Sequence, residues 1–171
     1  MIESVVFDCF STELGECFCC ETEDNEVCYL KLMVNNSDMD ATYDRMMKYF
    51  NNPKARKGKM KNEKHIKLAC SGKPVDVPVS MHGTPFFVEA WKAMKQIPIG
   101  TCMSYAALAE KAGRPKAVRA VASACARNPV AILVPCHRVI TSSGTIGGYG
   151  FGLEKKRQIL KLEGYLAFEK V

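Results

Sequence analysis

The stretch Ala131-Ile132-Leu133-Val134-Pro135-Cys136-His137-Arg138-Val139 joins a short apolar run to a cysteine that two basic residues follow. A glycine-rich segment, 144–152, comes soon after it. Buried cysteines are usually inert small hydrophobic residues. Cys136 differs because its basic neighbours favour a thiolate, and because it leaves an apolar segment beside a loop, where reactive groups tend to lie. We therefore identify Cys136 as the candidate nucleophile.

The histidine that follows Cys136 must meet two conditions to act as its base. If the segment is extended, neighbouring side chains point to opposite faces, so His137 reaches the sulfur only through a water molecule or a bent backbone. The imidazole also needs a third group to orient it. Glu163 is a candidate, because it shares a face of the predicted last helix with Ile159 and Leu160 and would need a buried partner there. The alternative is that this helix frays and Glu163 is solvated.

Charge is distributed unevenly along the chain. The formal net charge is +6, and no Asp or Glu lies between Lys111 and Leu153. The basic residues of this stretch are Lys111, Arg114, Lys116, Arg119, Arg127 and Arg138. A stretch with basic but no acidic residues predicts a positive face that binds phosphates, and hence a nucleic acid as partner. The alternative is a solvated surface whose acidic partners come from elsewhere in the fold.

The composition is typical of a globular protein with one or two small domains. Of the 171 residues, 47% are hydrophobic and 25% are charged, which excludes disorder across the whole chain. The N-terminus shows no signal-peptide pattern, and no apolar run approaches the length that spans a membrane. We therefore expect an intracellular, reducing location with free thiols, nuclear in a eukaryote and otherwise cytoplasmic.

The N-terminal cysteines raise the question of a metal site. A zinc site would draw its ligands from Cys17, Cys19, Cys20, Cys28, His65 and His82. The Cys-x-Cys-Cys spacing differs from the paired Cys-x-x-Cys arrangement that structural zinc sites use. Cysteines packed in the core of a sheet are the favoured explanation, so we expect no metal and no cofactor. The function of these cysteines, and of Cys9, is left open.

The first half of the chain predicts a small antiparallel sheet with one helix. Hydrophobic patterning places strands at residues 5–11, 16–22 and 27–34. A helix is predicted over 40–50, where one face holds Tyr43, Met46, Met47 and Phe50. The polar segment 51–64 predicts a loop or a ragged helix end, 66–70 predicts a further strand, and the glycine and prolines of 71–78 predict a linker.

The second half is richer in helix signals. Thr84-Pro85 fits an N-cap followed by proline at the first helical position, and it starts a helix that runs to about residue 95. Ser104 caps a second helix, which Gly113 ends. The second, third and last helices are predicted at residues 105–111, 115–127 and 153–163. The second and third together have the proportions of a helix-turn-helix.

The third predicted helix has an apolar face and a face of small residues. The apolar stripe consists of Ala117, Ala120, Val121, Ala124 and Cys125. The opposite face carries Val118, Arg119, Ala122, Ser123 and Ala126. A solvent-exposed helix usually carries longer polar side chains, so the small residues indicate that a partner approaches the backbone closely. The alternative is that the fold buries this helix on both sides.

Pro135-Cys136-His137-Arg138-Val139 resembles the active-site motif of the methylated-DNA–protein-cysteine methyltransferases, also called O6-alkylguanine-DNA alkyltransferases. The surrounding sequence is similar to that family in order and spacing over residues 83–164. The matching motifs are Gly83-Thr84-Pro85-Phe86 with Trp91, Ile97-Pro98-x-Gly100, Ser104-Tyr105-x-x-Leu108-Ala109, Arg119-Ala120-Val121, Arg127-Asn128-Pro129 and Glu163-Gly164. In the N-terminal part only the order of strands and helix is similar.

From the patterns and the resemblance we predict an α+β fold with two domains. Residues 1–78 would form an N-terminal α/β domain around a small antiparallel sheet. Residues 79–171 would form a helical C-terminal domain with a winged-helix-like helix-turn-helix, which binds DNA and carries the alkyl acceptor. The resemblance also implies a monomer whose partner is double-stranded DNA containing O6-alkylguanine, without membrane contact.

The resemblance implies a role for each matching residue of the reaction. Cys136 would accept the alkyl group irreversibly, once per molecule. His137, held by Glu163, would deprotonate Cys136 through a water molecule. Tyr105 would donate a proton or a hydrogen bond to the departing guanine.

Further roles concern DNA and the base pocket. Arg119 would enter the base stack in place of a flipped nucleotide. The other expected DNA contacts are Val118, Ala120, Ser123, Lys116 and Arg114. Asn128 would be the hinge between the recognition helix and the active-site loop. The guanine pocket would be lined by Val139, Tyr149 and Gly147.

Two other functions stay open at this point. One is a sensor that grips alkylated DNA without transfer, and the other is a thiol hydrolase that uses Cys136 and His137. The sequence also departs from some relatives at Gly150-Phe151, where a pair of small residues is expected. Phe151 would narrow or reshape the pocket for bulky adducts.

Overall fold

The N-terminal part is built on a four-stranded sheet with one parallel pair. The computed structural model describes residues 1–34 and 38–167. Its strands are β1 (Ser4–Thr12), β2 (Gly15–Thr22), β3 (Val27–Leu32) and β4 (Lys54–Lys57). The sheet order is β3-β2-β1-β4, in which β1, β2 and β3 form the predicted antiparallel meander and β4 pairs with β1 in parallel. The α+β fold class is confirmed.

Two local predictions for the N-terminal part are wrong. The sheet is mixed rather than purely antiparallel, because β4 lies in the segment that predicted a loop; its lysines suit an exposed edge strand. Residues 66–70 belong to helix α2 (Glu63–Cys70) rather than to a strand, since Ile66, Ala69 and Cys70 share its buried face. The first helix, α1 (Met39–Tyr49), agrees with its prediction.

The C-terminal part contains four helices in the described residues. These are α3 (Pro85–Lys95), α4 (Tyr105–Lys111), α5 (Val118–Ala126) and α6 (Leu153–Leu162). The predicted caps are present: the Thr84 hydroxyl accepts from Phe87 N–H, and the Ser104 hydroxyl accepts from Ala107 N–H. Helix α5 begins at Val118 rather than at Pro115, which lies in the turn after α4. Helices α4 and α5 form the helix-turn-helix.

Two short strands and a 3₁₀ turn lie beside the helices of the C-terminal part. Strands β5 (Met103–Ser104) and β6 (Val139–Ile140) pair in parallel. A 3₁₀ turn, Cys136–Arg138, precedes β6 directly. Within residues 1–34 and 38–167, no helix is both long enough and apolar enough to cross a membrane.

The outer edge of β3 is covered by segments from later in the chain. Val27 N–H donates to Pro78 O, and Ser80 N–H donates to Val27 O. Further along the strand, Leu30 N–H donates to Pro129 O and Leu30 O accepts from Ala131 N–H, each at 2.9–3.0 Å. The sheet edge therefore holds the segment that leads to Cys136.

The hydrophobic core lies on both faces of the sheet. One cluster packs β1, β2 and β3 against α1 through Val5, Phe18, Tyr29, Met46 and Phe50. The other cluster contains Leu30 and Ile66 together with Trp91, Val121 and Ile159 from the helices after residue 78. This second cluster crosses the expected boundary at residue 78, and the division into domains 1–78 and 79–171 stays a prediction.

Trp91 links α3 to the end of α5, and its replacement tests that packing. The buried indole Nε1–H donates to Ala124 O at 2.9 Å, a carbonyl in the last turn of its helix. We expect Trp91→Phe to lower the free energy of unfolding by about 2–3 kcal/mol, because it leaves a cavity and an unpaired buried carbonyl. Urea unfolding measures the loss. Lys92→Ala, on the exposed side of the same helix, is the control with an expected change below about 0.5 kcal/mol; an equal change in both variants would contradict the prediction.

Candidate active site

A tight turn connects the sheet edge to Cys136. After Val130 pairs with β3, Ile132 takes a left-handed backbone conformation with φ of 69°, which is rare for a β-branched residue. Val134 N–H then donates to Val130 O at 3.0 Å, so the chain reverses before Pro135. Cys136 starts a 3₁₀ turn rather than continuing an extended segment, and only 8% of its surface is exposed.

Asn128 connects the end of α5 to the thiol. Its Nδ2 donates to Val134 O at 2.8 Å and to Cys136 Sγ at 3.3 Å. Its Oδ1 accepts from Val130 N–H at 3.0 Å. Each polar atom of this buried amide therefore holds a different part of the turn. A displacement of α5 would reach the sulfur through this one side chain.

His137, Glu163 and Arg138 form a buried network behind the thiol. His137 Nε2 lies 2.7 Å from Glu163 Oε1, and Arg138 binds the same carboxylate through Nε at 2.8 Å and through Nη2 at 3.0 Å. The alternative of a frayed, solvated Glu163 is wrong, because its side chain is 2% exposed. Arg138, which was predicted from the sequence as a basic neighbour of Cys136 and part of a positive face but not as a partner of Glu163, also donates to Ile97 O.

The network fixes the protonation of its members. Burial alone would raise the pKa of Glu163, but hydrogen bonds from His137 and Arg138 lower it to about 2. Burial lowers the pKa of His137. Because the ionised carboxylate only accepts, Nε2 of neutral His137 carries the proton and Nδ1 is the basic nitrogen. Nδ1 is buried without a hydrogen-bond partner among the described residues.

Close packing holds the backbone beside Glu163. Gly72, in the segment that predicted a linker, lies against the C-terminal end of α6. A Cβ at this position would come within 2.3 Å of Leu162 O. The left-handed φ of 81° at Gly72 also disfavours any side chain there. The carboxylate of Glu163 is thus positioned by contacts that lie outside the thiol's own surroundings.

The thiol lies in a buried environment with two lysines nearby. Burial raises the pKa of Cys136, and the Asn128 hydrogen bond and the charges of Lys31 and Lys156 oppose that shift. Lys156 is fully buried and donates to Val139 O at 2.7 Å and to Gly148 O at 3.2 Å, which ties α6 to the glycine-rich segment. Neither lysine was predicted from the sequence. Two patterns in the sequence could have identified them. Lys31 lies within an apolar strand, and Lys156 lies on the apolar face of a helix.

A cavity of about 250 Å³ opens beside Cys136. Its lining consists of Tyr105, Ala122, Cys125, Ala126, Cys136, Gly148, Tyr149 and Gly150. Burial raises the pKa of Tyr105 to about 12, so the phenol keeps its proton and can donate. Gly147 adjoins this lining: its φ is 71°, and a Cβ there would lie 3.4 Å from the Tyr105 hydroxyl. Val139 is fully buried in β6 and does not line the cavity.

The exposed face of α5 leads into this cavity. Arg119, Ala122, Ser123 and Ala126 are exposed, whereas Val118 and Ala120 are half-buried. The alternative in which the fold covers both sides of this helix is therefore wrong. Arg114 and Lys116 are exposed in the preceding turn. Because Ala122 and Ala126 belong to both the exposed face and the cavity lining, a partner that lies on α5 also lies over Cys136.

The N-terminal cysteines are separated by the sheet. Cys17 and Cys19 point into one core cluster, while Cys20 and Cys28 point into the other. Strand alternation thus places them on opposite faces, where they cannot surround one ion. All nine cysteines are free thiols, and residues 1–34 and 38–167 contain no group of three or more Cys, His, Asp or Glu residues that could hold a metal.

Sequence comparisons identify the same family over most of the C-terminal part. The model of the family described as "6-O-methylguanine DNA methyltransferase, DNA binding domain" matches residues 85–165. The chain is 36% identical over 156 residues to the bifunctional transcriptional activator/DNA repair enzyme Ada of Escherichia coli (strain K12), which covers 88% of this chain and 43% of that relative. It is 50% identical over 90 residues to a methylated-DNA–protein-cysteine methyltransferase of Shigella flexneri, covering 53% of each. The chain thus spans about half the length of these curated relatives.

Solved structures extend the similarity to nearly the whole chain. The crystal structure of Mycobacterium tuberculosis OGT in complex with DNA has a TM-score of 0.76 at 29% identity and covers 96% of this chain and 98% of that one. The crystal structure of Mycobacterium tuberculosis O6-methylguanine methyltransferase has a TM-score of 0.75 at 30% identity, with coverage of 94% and 93%. The similarity therefore includes the N-terminal sheet.

The lowered pKa of Glu163 predicts an acid dependence of stability. Its value of about 2 lies below the ordinary 4.5, so the ionised carboxylate stabilises the folded state above pH 4.5, and this contribution is lost as the pH falls towards 2. The gap corresponds to on the order of 3 kcal/mol. We expect the unfolding free energy of the wild type, measured with urea at stepped pH, to fall across this window by about that much more than for Glu163→Gln. Parallel curves for the two proteins would contradict the assignment.

Proposed function

Because the chain belongs to the methylated-DNA–protein-cysteine methyltransferase family, we propose that it repairs O6-alkylguanine in double-stranded DNA by moving the alkyl group onto Cys136. One observation carries the proposal: a buried thiol lies at a small cavity whose rim is the exposed, small-residue face of a helix in a basic stretch. A DNA substrate would place the protein in the nucleus of a eukaryote or in the cytoplasm of a prokaryote.

The proposed reaction begins with proton transfer from the thiol. His137 takes the proton at Nδ1, through the water molecule that the family pattern implies, while Glu163 holds the ring from the other side. The resulting thiolate attacks the alkyl carbon. A carbon–sulfur bond forms, the carbon–O6 bond breaks, and its electron pair goes to guanine.

Tyr105 stabilises the departing base by a hydrogen bond and keeps its own proton. Negative charge develops on the departing base, and a donor that stays protonated stabilises it. The thiol proton finally replaces the alkyl group on guanine, so no cofactor is consumed. The thioether that remains has no good leaving group, and each molecule is expected to react once.

The position of Cys136 requires the base to leave the duplex. A reactive atom in the base stack is out of reach, so the nucleotide must be extruded at a cost of a few kcal/mol. The exposed face of α5 has the small side chains that a narrow groove admits, and Arg119 projects from the same face to fill the vacated place. Arg114 and Lys116 are positioned for phosphates. The structure of the M. tuberculosis relative in complex with DNA supports DNA as the partner.

Mass spectrometry after mixing with O6-methylguanine duplex tests the proposal. We expect the wild type to exchange one hydrogen for one methyl group at Cys136, and Cys136→Ala to remain unmodified although it still binds DNA. Cys125→Ala is the matched control, because it removes the other thiol of the same cavity and should leave Cys136 methylated. Binding without mass gain in the wild type would instead favour a damage sensor. Ester or peptide turnover beyond one equivalent would favour a thiol hydrolase.

Arg119→Ala separates base extrusion from chemistry. We expect a loss of at least about tenfold in the single-turnover rate on methylated duplex, because the inserted guanidinium offsets part of the unstacking cost of a few kcal/mol. The rate with the free base O6-methylguanine should stay close to that of the wild type, since no duplex is opened. An equal loss on both substrates would remove the role assigned to Arg119.

A further inference from the structure

Lys31 reaches the reaction centre from the N-terminal sheet. It lies on β3 one residue after Leu30, whose backbone pairs with the segment 129–131. That pairing brings the lysine beside the end of α5. Its Nζ donates to Asn128 O at 2.6 Å, a contact between residues 97 positions apart in sequence.

Through this contact Asn128 is hydrogen-bonded both to Lys31 and to the thiol. The backbone carbonyl of Asn128 accepts from Lys31, and its side chain donates to Cys136 Sγ. The two hydrogen bonds act on one residue, so the position of the lysine limits where the Asn128 amide can lie. Lys31 therefore braces the group that binds the sulfur.

Lys31 and Cys136 also line one cavity, which adjoins the cavity beside Tyr105 and shares Cys136 and Tyr149 with it. It measures about 270 Å³, and Tyr29, Arg45 and Phe151 are among its other walls. The ammonium lies 5.7 Å from the centre of the Tyr29 ring and 5.9 Å from that of Phe151. Such aromatic walls lower the local dielectric, and a charge there acts more strongly on a nearby thiolate than it would in water.

The charged side chains near the sulfur are basic. The titratable and charged groups that face Cys136 are Tyr29 and Lys31 on β3, Arg45 on α1, Tyr105 on α4, Cys125 on α5, Lys156 on α6, and His137 and Tyr149. The residues that line the two cavities include no Asp or Glu. Glu163 lies behind His137, where Arg138 neutralises it.

We propose that Lys31 is a positioning residue of the transfer reaction, which braces the Asn128 carbonyl and stabilises the Cys136 thiolate by its charge. The N-terminal sheet then supplies part of the reaction centre. This inference deepens the proposed function and rests on it for the transfer rate. The ionisation of Cys136 is a property of the protein alone and is measured separately.

The first experiment titrates the thiolate by its ultraviolet absorbance. Each protein is compared with its own Cys136→Ser version, so that the other cysteines cancel. We expect Lys31→Met to raise the apparent pKa of Cys136 by about one unit, the lower end of the effect of a nearby opposite charge. Lys31→Arg keeps the charge and the donor and should titrate like the wild type. If the Met variant does not fold, Lys31→Gln takes its place.

The second experiment follows single-turnover methyl transfer from O6-methylguanine duplex as a function of pH. For Lys31→Met we expect a rate about tenfold lower at neutral pH, which approaches the wild-type rate as the pH rises. Lys155→Met is the matched control: Lys155 also donates to a distant carbonyl, Leu14 O at 2.8 Å, but lines neither cavity at Cys136. Its pH profile should equal that of the wild type.

The outcomes separate the two proposals. An unshifted Cys136 titration in Lys31→Met, or a rate loss that is the same at every pH, would overturn the role of Lys31 and leave only a structural contact. Absence of transfer in the wild type would refute the proposed function, while the titration would still decide whether Lys31 controls the thiol.

Discussion

The backbone pairing between β3 and the segment 129–131 is the constraint on which the reaction centre depends. A sheet edge inside the core must have its N–H and C=O groups paired, and here the chain that follows α5 provides the partners. Once Pro129 and Ala131 are fixed against Leu30, the chain has few residues in which to reverse. The left-handed Ile132 makes that reversal and places Cys136 beneath α5.

The same pairing explains why the N-terminal sheet and the C-terminal helices share one core cluster. The sheet holds one end of the active-site turn, and the helix-turn-helix holds the other end through Asn128. The thiol is therefore positioned by two elements that are far apart in sequence. The helix end contributes the amide that donates to the sulfur, and the sheet contributes the ammonium that donates to the backbone carbonyl of that same residue.

Most features that depend on residues close together in sequence were predicted correctly, and most features that depend on contacts between distant residues were not. The caps Thr84 and Ser104 follow from local chemistry, and the sequence predicted them correctly. Glu163 was predicted to need a buried partner because an acid on an apolar helix face is costly, and the structure supplies two. Strand β4 was missed because its pairing with β1 is non-local and its residues are polar. Lys31 and Lys156 were missed because the carbonyls that they bind are brought near only by the fold.

Gly72 has a consequence that reaches beyond local packing. Its contact with the carbonyl of Leu162 ties a stretch before α3 to the residue that precedes the carboxylate holding His137. A side chain there would push against the end of α6 and could pull Glu163 away from the imidazole without altering a single wall of the cavity. Loss-of-function variants would therefore include substitutions at Gly72, a position that a survey confined to the neighbours of the thiol would overlook.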